Sequence, residues 1–211
     1  MMSSLLPENN MLLPGNVIQE SKVKNSKGEC VVRNTKKPAE AEIVHNGLVI
    51  SICGGASFAP EDKVYQDVAE FTRYVVKKGG VIINGGENYG SMIAAAEAEP
   101  DMVLGIACEY HKIIPYGPKA IVRNYFTRKM MIVSAPHVVV YEGGTGSLDE
   151  MIGAIGYVKS SQKQGLIPPE VYISSFWESI YNAMLEKGIF PENITNHIHV
   201  FNNIKDLKKL I

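Results

Sequence analysis

Cysteine is scarce. Cys30, Cys53 and Cys108 are the only three in 211 residues. Widely spaced, they offer neither a disulfide framework nor a zinc-ligand spacing, and the expected compartment is a reducing cytoplasm. Net charge is equally slight, −1 at pH 7, and the Lys and Arg residues are spread along the chain. That argues against a dedicated nucleic-acid surface. Residues 1–15 lack a basic start followed by an unbroken apolar stretch, so no secretory signal is expected. No apolar run approaches the ~18 residues that a membrane helix needs. Internal repeats and low-complexity segments are also missing. What remains is a chain of ordinary composition, long enough for one domain with a real core.

Residues 1–45 read as an N-terminal extension. The first fifteen form a loose tail, two short strands flank the turn "NSKG", and "KKPAEAE" is a linker. From residue 46 the pattern changes. Short apolar runs are expected to be strands at 47–53, 80–86, 101–108, 136–142, 170–174 and 197–201. They alternate with helical patterns, such as Val64, Val68, Phe71 and Val75, or Leu148, Met151, Ile152, Ile155 and Val158. A loop containing Pro115, Gly117 and Pro118 leads to a helix at about 123–134. Strands that are apolar throughout, alternating with amphipathic helices, predict a doubly wound α/β domain over 46–211, a parallel sheet with helices on both faces. Such sheets bind ligands beyond the carboxyl ends of their strands.

Three of those strand ends carry glycine pairs: Gly54-Gly55, Gly85-Gly86 and Gly143-Gly144. The third opens "EGGTGSLDE". Helix amino termini expose unpaired N–H groups, and glycine lets a backbone close on an anion. Thr145 and Ser147 add hydroxyls. A phosphate seat at Gly143, Gly144, Thr145, Gly146 and Ser147 follows. The plainer reading is steric for the glycines and a capping box for "SLDE", with Ser147 as N-cap and Glu150 reaching back to it. His45, His111, His137, His197 and His199 are scattered. His197 and His199 would share a strand face, but no third ligand is in view and no metal is expected. Ser51 and Ser57 lack a partnered base. Cys53 reads as a small apolar strand residue, Lys129 as solvated or a dimer contact, and Trp177 and Tyr181 as helix core or dimer surface.

These residues resemble the LONELY GUY (LOG) family, long labelled lysine decarboxylase-like, which includes the cytokinin riboside 5′-monophosphate phosphoribohydrolases. The family signature Pro-Gly-Gly-x-Gly-Thr-x-x-Glu stands here as Glu142-Gly143-Gly144-Thr145-Gly146-Ser147-Leu148-Asp149-Glu150. An Arg-Lys pair stands at Arg128-Lys129, and a second Gly-rich stretch runs from Gly85 to Met92. The likeness extends from about Leu48 to Ile211. It departs at Glu142, which replaces the signature proline and puts an acid before the phosphate seat. It departs also at Ser147 for threonine, at Glu87 for glycine, and in Arg128 standing one residue nearer the signature.

The resemblance implies a Rossmann-like hydrolase that cuts the N-glycosidic bond of a nucleoside 5′-monophosphate, AMP or a cytokinin riboside monophosphate, to free base and ribose 5-phosphate. It implies Glu150 and Arg128 as the catalytic pair, Gly143–Ser147 on the phosphate, and Gly85, Gly86 and Gly90 on the sugar or base side. It also implies a homodimer or larger assembly, with no membrane partner. Bond cleavage develops positive charge on the sugar, which a carboxylate stabilises. Asn88 and Glu87 are candidates for the ribose hydroxyls. Water is the only second reactant, so no cofactor is implied. The alternative is a binding protein of the same fold, carrying a nucleotide ligand or molybdenum cofactor. It keeps the glycine seat and releases Arg128 and Glu150 from catalysis. Single-stranded DNA binding is disfavoured by the charge.

Overall fold

The computed structural model describes residues 20–24, 30–34 and 48–211. Two elements precede the main body, β1 (Glu20–Lys24) and β2 (Cys30–Asn34), which pair antiparallel as a separate sheet. The expected tail over 1–15, the turn at 25–28 and the linker at 36–42 lie outside the described residues.

The main sheet contains β3 (Val49–Cys53), β4 (Val81–Asn84), β5 (Val103–Cys108), β6 (Lys119–Val122), β7 (His137–Val140), β8 (Glu170–Ser174) and β9 (Ile198–Phe201). All adjacent pairs are parallel, in the order β6-β5-β4-β3-β7-β8-β9. The helices are α1 (Lys63–Lys77), α2 (Gly90–Ala98), α3 (Tyr125–Val133), α4 (Thr145–Lys163), α5 (Glu178–Glu186) and α6 (Ile204–Leu210). The doubly wound α/β fold is thus present.

Strand alternation divides the core in two. Val49 and Cys53 of β3 and Val140 of β7 pack with Met131 of α3, Met151 and Ile155 of α4, and Tyr181 of α5. Ile50 and Ile52, with Val139 and Tyr141, pack with Phe71 and Val75 of α1, Ala95 of α2 and Leu207 of α6. Both faces of the inner strands β3, β4, β5 and β7 are therefore largely dry, which is why those runs read as apolar throughout.

One strand is missing from the sequence expectation. Residues 119–122, read as loop, form the edge strand β6 beside β5. The segment is short, opens with Lys119, and follows Pro118 and Gly117, all features that signal a turn. Lys119 is nevertheless buried, its ammonium donating to the Gly117 carbonyl.

The chain runs outward from β3 to β6, then returns to the far side of β3 with β7. The strand order reverses between β3 and β7, where sheets of this kind leave a crevice at their carboxyl ends. There the two exit loops stay zipped together. Tyr141 N donates to Cys53 O at 2.8 Å and Gly55 N to Glu142 O at 2.9 Å. Trp177, just before α5 and in the core, pins the same loop by donating its indole N–H to Tyr141 O.

Candidate active site

Helix α4 begins at Thr145 with Gly144 as N-cap and no side-chain cap. The capping-box reading of "SLDE" therefore does not hold. Ser147 lies inside the first turn, buried, and Glu150 lies too far along to reach the helix start. With Gly144 at the N-cap there is no side chain to accept from the first-turn N–H groups, which leaves them uncapped.

Glu150 instead points inward, between α4, α3 and the end of β3. Its Oε1 stands 3.8 Å from Arg128 Nη1. The Cys53 thiol lies against the same carboxyl group. Burial pushes the Glu150 carboxyl up to about 7, opposed by Arg128 and the thiol and aided by Asp149 and Glu87. Near neutral pH this acid is divided between its two forms, which suits a proton-transfer group.

Arg128 is a buried guanidinium with most of its donors committed. Nε donates to the carbonyls of Gly85 (3.2 Å) and Ile106 (3.0 Å), and Nη2 to Gly85 O (2.9 Å) and Glu87 Oε1 (3.1 Å). This fork fixes the plane and aims Nη1 at Glu150. Asn124 caps α3 by accepting from Thr127 N, so the helix carrying Arg128 starts at a defined point. Lys129, expected to be solvated or a dimer contact, bonds Asp149 at 2.9 Å. Burial raises the Asp149 carboxyl, but the bonds from Tyr125 and Lys129 outweigh it and hold it below its usual value. Asp149 thus serves the α3–α4 packing.

The glycines separate into two groups. A Cβ on Gly85 would collide with the Arg128 guanidinium and with Met92 Sδ, one on Gly90 with Gly55 O, and one on Gly143 with Ser147 Oγ and, at 2.8 Å, Gly55 N. Gly86 backs onto Gly105 and Ile106 main chain. Packing explains all four. A Cβ on Gly144 or Gly146 would meet nothing within 4 Å beyond the adjoining chain, and both are exposed beside Thr145. Neither has a positive φ. Nothing in the protein demands glycine there, and the first-turn amides of α4 are left open to an outside group. Gly143→Ala is therefore expected to cost roughly 2–4 kcal/mol through overpacking and local shift. Gly146→Ala should leave stability equal or raise it by about 0.5–1 kcal/mol. Chemical denaturation of both variants checks this contrast.

Asn88 is half-buried and its N–H donates to Lys112 O, tying the β4–α2 loop to the 111–114 segment. Two participants were not legible as such in the sequence. Glu87, considered there for ribose hydroxyls, is bound to Arg128, and Cys53 borders Glu150. Burial holds the nearby His111 low, and its Nδ1 accepts from Cys108 N, so it stands neutral beside Glu87.

At the other end of the sheet, His197 and His199 both bond Glu170, at 2.8 and 2.7 Å. His197 precedes β9 rather than sharing its face. Among the described residues no cluster of three or more His, Cys, Asp or Glu could hold a metal ion, and no helix is long and apolar enough to cross a membrane.

No family model and no curated protein matches the chain. Solved structures do. A molybdenum cofactor binding protein from the phototrophic bacterium Rippkaea orientalis aligns at TM-score 0.55 and 18% identity, over 78% of this chain and 95% of that one. The structural-genomics target TM1055 aligns at 0.56 and 17%, over 77% and 97%. DNA processing protein A from Helicobacter pylori, described by its single-stranded DNA binding mode, aligns at 0.53 and 17%, over 78% and 80%. At these identities the likeness establishes the Rossmann-like α/β fold.

Proposed function

We propose that the protein is a LOG-type phosphoribohydrolase, cleaving the N-glycosidic bond of a nucleoside 5′-monophosphate such as AMP. The observation that carries this reading is the pairing of two features on one helix. Open amides at Gly144–Gly146, with Thr145, suit an anionic phosphate. Buried Glu150, one turn and more further in, suits the developing positive charge of the sugar. In this reading the carboxylate form of Glu150 faces the anomeric carbon and takes a proton from the attacking water. The C1′–N bond breaks with its electron pair passing to the base, which takes up a proton. The water oxygen becomes the new C1′ hydroxyl. Arg128 holds Glu150 and, through Nη1, the reacting region. Its remaining donors are held by Gly85, Ile106 and Glu87. Ser147 supports the turn from beneath. Homodimerisation, as the family resemblance implies, belongs to the same proposal.

The test is release of adenine and ribose 5-phosphate from AMP, followed across pH. Glu150 must be ionised, so kcat/KM should rise with pH through about 7, the value to which burial brings this group. Glu87→Gln removes a charge that raises the Glu150 value, so the rise should move to lower pH. A flat profile between pH 5 and 9 would remove Glu150 from the chemistry.

A second reading is a binding protein without turnover. The observation favouring it is the similarity to a protein described as binding molybdenum cofactor, together with the commitment of Arg128 Nε and Nη2 to protein acceptors, which leaves Nη1 to meet a ligand. Retention of a phosphorylated ligand through purification, without release of base from any common nucleoside monophosphate, would select it.

A further inference from the structure

A cleft of about 530 Å³ opens beside the β7 exit loop. Its wall includes Val64 from the start of α1, Tyr141 and Phe201, all from the α1/α2/α6 side of the sheet. It therefore lies on the opposite face from Arg128 and Glu150, with the loop beginning at Tyr141 as the shared partition. The volume is that of a small-molecule site.

Its charge is one-sided. Asp62, Asp67 and Glu142 line it against the single Lys63, whose ammonium is already paired with Asp67. The Asp62 carboxylate accepts from Ala59 N. The Glu142 carboxylate is half-buried and has no hydrogen-bond or ion-pair partner among the described residues. Tyr141, 3% exposed, also keeps a hydroxyl without a partner. Phe58, Val64 and Phe201 supply apolar wall between these groups. An anion would meet repulsion on entry, whereas a cation would find an unused carboxylate and aromatic surface.

The main chain gives the reason to look at residue 142. Glu142 contributes its carbonyl to Gly55 N, a duty that proline would also perform. What glutamate adds is the carboxylate, and the cleft is where it stands.

We infer that this cleft is a second binding site, taking a small organic cation whose ammonium or amidinium group pairs with Glu142 while its apolar body lies against Phe58 and Phe201. Two neighbouring stretches of one loop then select opposite charges, a cation at Glu142 and an anion at Gly144–Gly146. The site stands independently of the nucleotide reading.

Calorimetric titration with tyramine tests it, with 3-(4-hydroxyphenyl)propionate as the same body bearing the opposite charge. Tyramine should bind saturably, with amide shifts in an NMR spectrum confined to the neighbourhood of Ser57, Glu142 and Asn202. Glu142→Gln should weaken it about tenfold, the loss of one charge-assisted hydrogen bond. Asn202→Trp, at the exposed rim, should block it without disturbing the core. The propionate should not bind. Equal binding of the propionate, unchanged tyramine affinity in Glu142→Gln, shifts elsewhere, or no saturable binding to the wild type would each overturn the site.

Discussion

Glu150→Gln is expected to lower turnover of AMP by about 10³-fold or more while making the protein more stable above pH 7. The two effects share a cause. The carboxyl group is taken from its ordinary value of 4.5 to about 7 chiefly by burial. A group whose value is raised on folding favours the folded state at low pH, below its unfolded value. That contribution is lost as pH rises through the folded value, because the buried group must then ionise. At pH 8 the native protein therefore carries a charged carboxylate at a cost of about 3 kcal/mol, which a neutral glutamine of the same shape does not carry. Arg128 keeps its bonds to Gly85, Ile106 and Glu87 in the variant, so no buried charge is stranded. Thermal unfolding at pH 5 and pH 8 separates the cases. The variant should gain little at the lower pH and several degrees at the higher. Equal stability at both would mean that Glu150 is not held at its raised value. This exchange of stability for an ionised acid is the usual signature of a working group.

The parts of this site that were legible in the sequence are those whose chemistry is local. The glycine-rich turn at Gly143–Gly146 before a helical pattern is such a local feature, although only the structure separates the open Gly144 and Gly146 from the packed Gly143. Arg128 and Glu150 were named only through the resemblance, because nothing in their spacing says that α3 and α4 lie side by side. Gly85 and Gly143 looked like ligand-binding glycines in the sequence, yet they accommodate Arg128 and Ser147, partners tens of residues or one turn away. Cys53 read as a plain strand residue because its neighbour across the core comes from position 150. β6 was lost for a different reason. Four residues behind a Pro-Gly turn carry too little pattern of their own, and only the exposed edge of β5 makes them a strand. The apolar runs of β3, β4, β5, β7 and β8, buried on both sides, needed no such help.

Arg128→Lys should be more damaging to the fold than Glu150→Gln, and this contrast tests how the pair is built. A lysine delivers one charge at one point, whereas the guanidinium serves two carbonyls and Glu87 at once and still presents Nη1 to Glu150. The ammonium would leave the Gly85 or Ile106 carbonyl unpaired in a buried position. It would also leave one of the two acids without its bond, for a loss of about 3–5 kcal/mol. The shorter ammonium, drawn to the Gly85 carbonyl and Glu87, should stand farther from Glu150, whose carboxyl should then climb above about 7, since the Arg128 charge is the largest influence holding it down. Any residual activity should then appear only at higher pH, and the urea midpoint should fall at every pH. If Arg128→Lys unfolds normally but loses activity, Arg128 acts on the ligand alone and its carbonyl bonds are incidental. If stability falls while the pH profile keeps its position, the 3.8 Å approach of Nη1 to Glu150 has no electrostatic consequence. The expected outcome couples the two, because one planar side chain both ties β4 and β5 together and sets the charge of Glu150.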